Sequence, residues 1–257
     1  LVAELRASVG RDDAPVLIEA TCNQVNHEGG YTGMTPAAFR RFLEGIAKAQ
    51  GVAAGRLILG GDHLGPNPWR HLAAEAAMDR ARARGLVAAL PGLGGPVYEA
   101  HSTDYQDVAA LRALVAGHFG VLKVGPELTF AYRQAVFALE RLAGLLGVPS
   151  GVEAALRAAM LAEPKEWRAY VEPGPDEGRM MVYGLSDRVR YYWPKPAVQA
   201  AVRALCDGVR AADPAPGLVA QVTGGMVGPV DARRLPERIM GRMVGDVVAR
   251  YRAATGE

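Results

Sequence analysis

Short apolar runs alternate with amphipathic segments along the first half of the chain. Such runs are typical of buried strands, and the segments between them carry the apolar spacing of helices. The predicted strands cover residues 16–20, 56–61, 96–101 and 119–124. The predicted helices cover residues 37–50, a segment starting near Trp69, and residues 108–116. This alternation favours a parallel α/β fold up to Val124.

The second half of the chain is mostly helical in its pattern. The helical spacing continues beyond Thr129 through Tyr170, with breaks at residues 147–150 and 173–175. A region over about residues 131–212 therefore resembles a helical insertion in an otherwise alternating chain.

Two more elements are predicted near the C-terminus. The apolar run at residues 217–221 predicts a closing strand, and residues 236–254 predict a helix. Ile239 and Met243 begin the apolar face of that helix, which Val247 and Tyr251 continue at helical spacing. We expect one barrel-like α/β domain over residues 1–257.

Composition and charge narrow the class of protein. With 257 residues and 50% hydrophobic content, the chain is large enough for one α/β domain. The 29 Lys and Arg residues against 27 acidic ones are scattered along the chain, so we expect no nucleic-acid partner. No apolar run reaches the ~20 residues that span a bilayer, which predicts no membrane partner and a cytoplasmic protein. Cys22 and Cys206 are far apart and are expected to be reduced thiols.

Two of the predicted strands end in an acid and a histidine. Asp62 and His63 follow one strand, while Glu99 and His101 close another, with Asp104 three residues further on. Parallel strands finish at the same edge of a sheet or barrel, where binding and catalytic groups gather. These side chains are therefore expected to share one site.

Their chemistry suits a divalent metal. His63, Glu99 and His101 supply the nitrogen and oxygen ligands that Zn²⁺, Mn²⁺ or Co²⁺ accepts, and Asp62 is a further candidate as ligand or catalytic group. Such an ion would stabilise charge developing on a carbonyl oxygen, with Asp104 or Glu19 as the base. The alternative is that each acid and histidine pair only fixes a loop by hydrogen bonding.

Other polar residues at strand ends are candidates for substrate binding. Asn23, Gln24 and Asn26 follow the first strand, and their carboxamides either bind hydroxyl groups or cap the loop. Lys123 ends a strand, where it pairs with a phosphate or forms a Schiff base. Arg188 either holds a phosphate or forms an ion pair beside a helix cap.

Six segments of the chain resemble one known family. They are Ile18–Asn26, Gly29–Pro36, Gly60–Trp69, Glu99–Gln106, Leu122–Pro126 and Leu185–Pro194. They resemble motifs of the family of the accessory, non-catalytic subunit of class II D-tagatose-1,6-bisphosphate aldolase, and they occur in the same order as in that family. Gln221 also matches, which implies a substrate-binding position, whereas the residues after it depart from the family pattern.

The resemblance implies a (β/α)8-barrel and a role in galactitol, tagatose or N-acetylgalactosamine catabolism. It implies a sugar or sugar phosphate as ligand, and as partner the catalytic subunit of the aldolase. The resemblance to a class II family argues against a Schiff base at Lys123. Relatives of the family epimerise ketoses or hexuronates with a divalent metal.

The resemblance also exposes a gap near residues 84–85, where the family has further strands and helices. Five strands are predicted, and a barrel cannot close on five strands without leaving an apolar edge exposed. We therefore expect either an open sheet or a partner that covers the exposed edge. That partner is another protein or a second copy of this chain. We also expect reduced or absent activity, because a barrel that loses several units has little stability to spare.

Three functions remain open on the sequence alone. The favoured one is the accessory aldolase subunit, which would need an apolar or aromatic partner surface. The second is a metal-dependent ketose or sugar-phosphate 4-epimerase or aldolase. A tagatose-6-phosphate kinase is placed last, because the sequence carries no nucleotide phosphate loop.

Overall fold

The structure is a computed structural model that describes most of the chain. It describes residues 16–21, 24–25, 31–49, 51–53, 57–62, 98–117, 119–225 and 231–256. These residues belong to two compact units. The helical unit comprises the described residues from Val124 to Ala249. The strand unit comprises the described residues up to Lys123 and those from Arg250 onward.

The first two predicted strands of the strand unit form a parallel pair. Strand β1 (Val16–Thr21) pairs with β2 (Leu57–Asp62), in a register that sets Val16 opposite Leu57 and Thr21 opposite Asp62. Helix α1 (Pro36–Ala49) lies between them in sequence and buries Leu43 and Ala47. The predicted strand–helix–strand order is thus confirmed here.

A second parallel pair follows in the same unit. Strand β3 (Tyr98–Ala100) and strand β4 (Phe119–Leu122) are connected by helix α2 (Val108–Ala116). Asp107 caps α2, because its carboxylate accepts a 2.7 Å hydrogen bond from the Ala110 amide. The α/β class is thus observed. Among the described strands, β2 and β3 are not hydrogen-bonded to each other, and closure of the strands into a barrel stays a prediction.

The helical unit confirms the predicted helical second half. Its helices are α3 (Pro126–Leu146), α4 (Val152–Ala162), α5 (Glu177–Tyr183), α6 (Pro196–Ala212), α7 (Pro216–Thr223) and α8 (Leu235–Thr255). The last residues of α8 belong to the strand unit. Short 3₁₀ turns cover residues 164–166, 168–170, 188–191 and 232–234.

One apolar core holds these helices together. Val136, Leu139 and Leu142 recur at helical spacing on α3 and are fully buried. They belong to one cluster with Leu156 of α4 and Leu205 of α6. Burying a leucine of this kind contributes on the order of 2 kcal/mol, so this cluster is a main source of stability in the unit.

The predicted closing strand at residues 217–221 is wrong. These residues lie in helix α7, which has Pro216 at its first position and Gly224 in the left-handed conformation, with φ 64°, at its end. Val219 and Thr223 are buried four residues apart, which is the period of a helix face and not of a strand. A short apolar run alone does not separate these two structures.

Two predictions on organisation stay predictions. They are the single domain over residues 1–257 and the junction near residues 84–85, which lies outside the described residues. Within the described part of the chain, no helix is both long and apolar enough to cross a bilayer.

Candidate functional site

Three of the predicted site residues lie together at the ends of β3 and β4. Glu99 belongs to β3, His101 follows that strand, and Lys123 follows β4. The Lys123 Nζ atom lies 3.2 Å from Glu99 Oε1, and His101 Nε2 lies 3.5 Å from the same oxygen. The parallel pairing of the strands brings these groups together, as expected for neighbouring strand ends.

The backbone beside His101 is irregular, and Lys123 holds it on both sides. The Lys123 amide donates to the Ala100 carbonyl at 2.8 Å, and the Lys123 carbonyl accepts from the Thr103 amide at 3.0 Å. In a regular parallel ladder one residue lies between two such bonds, whereas here His101 and Ser102 both do. Ser102 has a φ of 55°, which is uncommon for a residue other than glycine. We call these two residues the His101–Ser102 bulge.

The end of helix α8 contacts Thr103, the residue after this bulge, through one hydroxyl group. The Tyr251 hydroxyl lies 2.9 Å from Thr103 Oγ1 and donates to the Thr103 carbonyl at 2.8 Å. Thr103 Oγ1 in turn donates to the Lys123 carbonyl at 2.8 Å. Thr103 is buried, with 3% of its surface exposed, whereas Tyr251 is half-buried, so this network is partly shielded from water.

The three side chains combine opposite charges, and two of them are accessible. The Glu99 side chain is 36% exposed and that of His101 44%, whereas the Lys123 side chain is 22% exposed and its Nζ atom is buried. The positive charge of Lys123 attracts an anion such as a phosphate or a developing oxyanion, and an imidazole is a group that can carry a proton in catalysis. The cluster is therefore able to bind an anionic ligand and to move a proton.

The described residues do not make up a complete metal site. No group of three His, Cys, Asp or Glu residues suited to a metal occurs among them. Glu99 and His101 offer two donors, fewer than the three protein ligands of a catalytic zinc site, and the ammonium group of Lys123 already balances Glu99. The predicted set of His63, Glu99 and His101 stays a prediction, since His63 lies outside the described residues.

The candidate residues around β1 and β2 are only partly described. Glu19 lies in β1 opposite Gly60, and Asp62 ends β2. Asn23 and Asn26 lie outside the described residues. The backbone carbonyl of Gln24 accepts hydrogen bonds from the amide and the hydroxyl of Thr32, at 3.3 and 2.6 Å, so this carbonyl helps to fix the turn.

The remaining strand-end candidate, Asp104, is half-buried two residues beyond the bulge. Gln221, by contrast, is exposed on helix α7 of the helical unit. Its predicted role in substrate binding stays a prediction, but the strand that was expected to present it is a helix.

Arg188 lies in the helical unit among aromatic rings. Its guanidinium carbon is 3.7 Å from the centre of the Tyr170 ring and 4.4 Å from that of Tyr191. Its Nε donates to the Glu166 carbonyl. Burial lowers the pKa of Arg188. These contacts orient the guanidinium group, and its predicted role in phosphate binding stays a prediction.

The sequence pattern did not predict an ion pair that the structure shows next to Arg188. Arg133 Nη1 of α3 lies 2.7 Å from Asp187 Oδ1, with 2% and 0% of the two side chains exposed. Burial raises the pKa of Asp187, and the charge of Arg133 acts in the opposite direction. The two residues are far apart in the chain, so no local pattern could reveal the pair.

The chain matches one family model over nearly all of its length. The family is described as D-tagatose-1,6-bisphosphate aldolase subunit GatZ/KbaZ-like, and the match covers residues 1–89 and 79–256. These two matched pieces overlap at residues 79–89.

Two relatives carry different names. The chain is 30% identical to the D-tagatose-1,6-bisphosphate aldolase subunit GatZ of Escherichia coli strain SMS-3-5, over 100% of the chain and 94% of the relative. It is also 30% identical to a D-tagatose 6-phosphate 4-epimerase of Agrobacterium fabrum, over 98% and 92%. The first alignment spans 396 positions against 257 residues here, so a long part of that relative has no counterpart in this chain.

A solved structure is similar as well. It is described as a probable tagatose 6 phosphate kinase from Sinorhizobium meliloti 1021. The two share 31% identity with a TM-score of 0.83, over 98% of this chain and 96% of the other. The resemblance in fold therefore extends over almost the whole chain.

Proposed function

The chain belongs to the D-tagatose-1,6-bisphosphate aldolase subunit GatZ/KbaZ-like family, and from this we propose that it is an accessory subunit of that aldolase. In this role it binds the catalytic subunit and stabilises it, within the breakdown of galactitol, tagatose or related sugars. The observation that carries the proposal is the 30% identity to an aldolase subunit GatZ over the full chain. A barrel-like arrangement of the parallel strands is part of the proposal.

An exposed apolar surface of the helical unit supports a partner. Met180 and Tyr183 lie three residues apart on α5, and Leu185 follows that helix. Met180 is 50% exposed, Tyr183 43% and Leu185 60%. We call these three residues the α5 patch. Residues of this size at the surface are typical of protein interfaces when they occur together.

The test is to mix the purified chain with the catalytic subunit of a class II D-tagatose-1,6-bisphosphate aldolase. We expect a complex in size-exclusion chromatography with light scattering and a longer half-life of aldolase activity on warming. Met180→Glu is expected to weaken both effects, because it places a charge in the patch. Phe42→Glu, at an exposed aromatic residue of the strand unit, is the matched control. Absence of a complex together with an unchanged half-life would rule out the accessory role.

The cluster at the strand ends favours a second candidate function, a sugar-phosphate 4-epimerase. The cluster of Glu99, His101 and Lys123 has the charges for anion binding and proton transfer, and one relative is named an epimerase of D-tagatose 6-phosphate. A purely structural subunit has no need of these groups. Zn²⁺, Mn²⁺ or Co²⁺, if bound, would supply Lewis-acid stabilisation of the same oxygen atoms.

The reaction can be written without any other reactant. A base takes the proton of the C4 hydroxyl, the C3–C4 bond breaks, and an aldehyde and an enediolate result. The aldehyde rotates and presents its opposite face to the enediolate. The C3–C4 bond then forms again, and the proton returns to the C4 oxygen. Lys123 would hold the phosphate or the developing oxyanion, while Asp104 or His101 would carry the proton.

This second function is tested by following D-tagatose 6-phosphate by NMR, with and without each of the three metal ions. Turnover to the C4 epimer is expected, and His101→Asn should lower it about 10²-fold or more, because it removes an acid–base group. Lys123→Met should chiefly raise KM through loss of anion binding. Absence of turnover by the folded protein under all these conditions would exclude this function and leave the accessory role.

A further inference from the structure

Tyr251 lies far from the strand-end cluster in sequence, yet its hydroxyl is two hydrogen bonds away from the Lys123 backbone. The hydroxyl contacts Thr103 through both the side chain and the carbonyl of that residue. Thr103 then contacts the Lys123 carbonyl with its amide at 3.0 Å and with its hydroxyl at 2.8 Å. The phenol group thus attaches the C-terminal turn of α8 to the Thr103 carbonyl, at the end of the His101–Ser102 bulge.

The bulge determines the direction of the His101 side chain. An extra residue in a strand turns the side chains that follow it, and bulges are frequent beside active sites for this reason. Ser102 closes the bulge with a φ of 55°, a strained conformation that persists only where surrounding contacts impose it. The contacts that impose it here are those of Lys123 on both sides and of Thr103 at one end.

We propose that Tyr251 is a positioning residue of the strand-end site, which holds the His101–Ser102 bulge through Thr103 and so keeps His101 and Lys123 at their distances from Glu99. This inference rests on the second candidate function, because it gives the cluster a sugar-phosphate ligand. The Tyr251 hydroxyl contacts Thr103, which in turn contacts Lys123, so Tyr251 acts on the site through Thr103.

The same helix end offers a matched control. Arg112 of α2 donates to the Ala253 carbonyl of α8 at 3.0 and 3.2 Å, and this contact does not involve the bulge. Arg112→Met therefore releases the helix end at another point, while Tyr251→Phe removes only the hydroxyl. Thr103→Val removes the central hydroxyl of the network, and Thr103→Ser retains it.

The experiment measures the dissociation constants of D-tagatose 6-phosphate and inorganic phosphate by calorimetry, together with the melting temperature. We expect Tyr251→Phe and Thr103→Val to weaken sugar-phosphate binding roughly fivefold, the effect of one hydrogen bond. Thr103→Ser and Arg112→Met should bind as the wild type does. Amide hydrogen exchange, measured by NMR, should quicken at Thr103 and Lys123 in Tyr251→Phe but not in Arg112→Met.

Two results would overturn the inference in distinguishable ways. If the wild type binds the sugar phosphate and Tyr251→Phe binds it equally well, or if Arg112→Met weakens binding as much, Tyr251 is only structural. The second candidate function then stands. If the folded wild type binds neither probe, the sugar-phosphate site fails, and the positioning role fails with it.

Discussion

Arg133 and Asp187 form an ion pair inside the helical unit, 2.7 Å apart and almost completely buried. Asp187 has a φ of 44°, and Arg133 also donates to the backbone carbonyls of Tyr183 and Gly184. A single guanidinium group of α3 thus holds the turn that leads from α5 into the aromatic segment at residues 188–193. A buried pair of this kind fixes geometry more than it adds net stability.

Removal of one partner of this pair is expected to destabilise the protein strongly. Arg133→Met should lower the free energy of unfolding by about 3 kcal/mol or more, because it leaves the Asp187 carboxylate buried without its counter-charge. The double variant with Asp187→Asn should recover part of the loss, since asparagine is uncharged and tolerates positive φ. Urea unfolding measures both values.

The control for this prediction is Arg40→Met, which removes an exposed ion pair with Glu44. Exposed pairs contribute little, so its effect on the free energy of unfolding should be small beside that of Arg133→Met. Equal losses in Arg133→Met and Arg40→Met would contradict the structural importance of the buried pair.

Glu140 of α3 caps the start of α4 from outside that helix. Its carboxylate accepts hydrogen bonds from the Val152 and Glu153 amides at 2.9 and 3.1 Å, and from the Ser150 hydroxyl at 2.6 Å. Glu140→Ala should therefore cost about 1 kcal/mol, which is typical for the loss of an N-terminal cap.

Thermal or urea unfolding checks the value for Glu140→Ala. Glu163→Ala is its counterpart, because that carboxylate pairs with Lys195 at the surface. The second change should be close to neutral. If the two variants lose the same stability, the capping contact is not what links α3 to α4.

The sequence revealed most of the fold because local patterns carried it. Helices α1, α2 and α8 and all four described strands lie where periodicity placed them, to within a few residues. The failure was α7, where the apolar run at residues 217–221 fits both a strand and a helix. Only the pairing of elements that are distant in sequence decides such a case.

The residue types of the candidate site could be predicted from the sequence, but the contacts that hold these residues in place could not. Glu99 and His101 lie at one strand end in the sequence itself, and parallel pairing brings Lys123 to them. Tyr251 was expected only as part of an apolar helix face. Its hydroxyl contact with Thr103 joins residues 148 positions apart, and no spacing rule connects such positions.

Cys206 should be unreactive in the folded protein. The thiol is buried on α6, and burial raises its pKa to about 11, against the opposing charge of Arg210. Because the thiolate is the reactive form, alkylation by iodoacetamide at pH 8 should be about a hundredfold slower than in the urea-unfolded chain. Mass spectrometry of the peptide containing Cys206 measures both rates, and equal rates would show that the thiol is accessible.

Tyr192 should make the helical unit sensitive to alkali. Burial raises its pKa from 10.0 to about 12, and its hydroxyl donates to the Glu163 carbonyl. The folded state keeps this proton up to a higher pH than the unfolded chain does, so its contribution is complete below pH 10 and is lost as the pH rises towards 12. In the Tyr192→Phe variant, the decrease in the free energy of unfolding between pH 10 and pH 12 should be about 2 kcal/mol smaller than in the wild type. Unfolding free energies at pH 9, 10, 11 and 12 test this, with Tyr170→Phe at a half-exposed ring as the control. If the stability difference between wild type and Tyr192→Phe is constant over this range, the buried hydroxyl does not cause the alkaline loss.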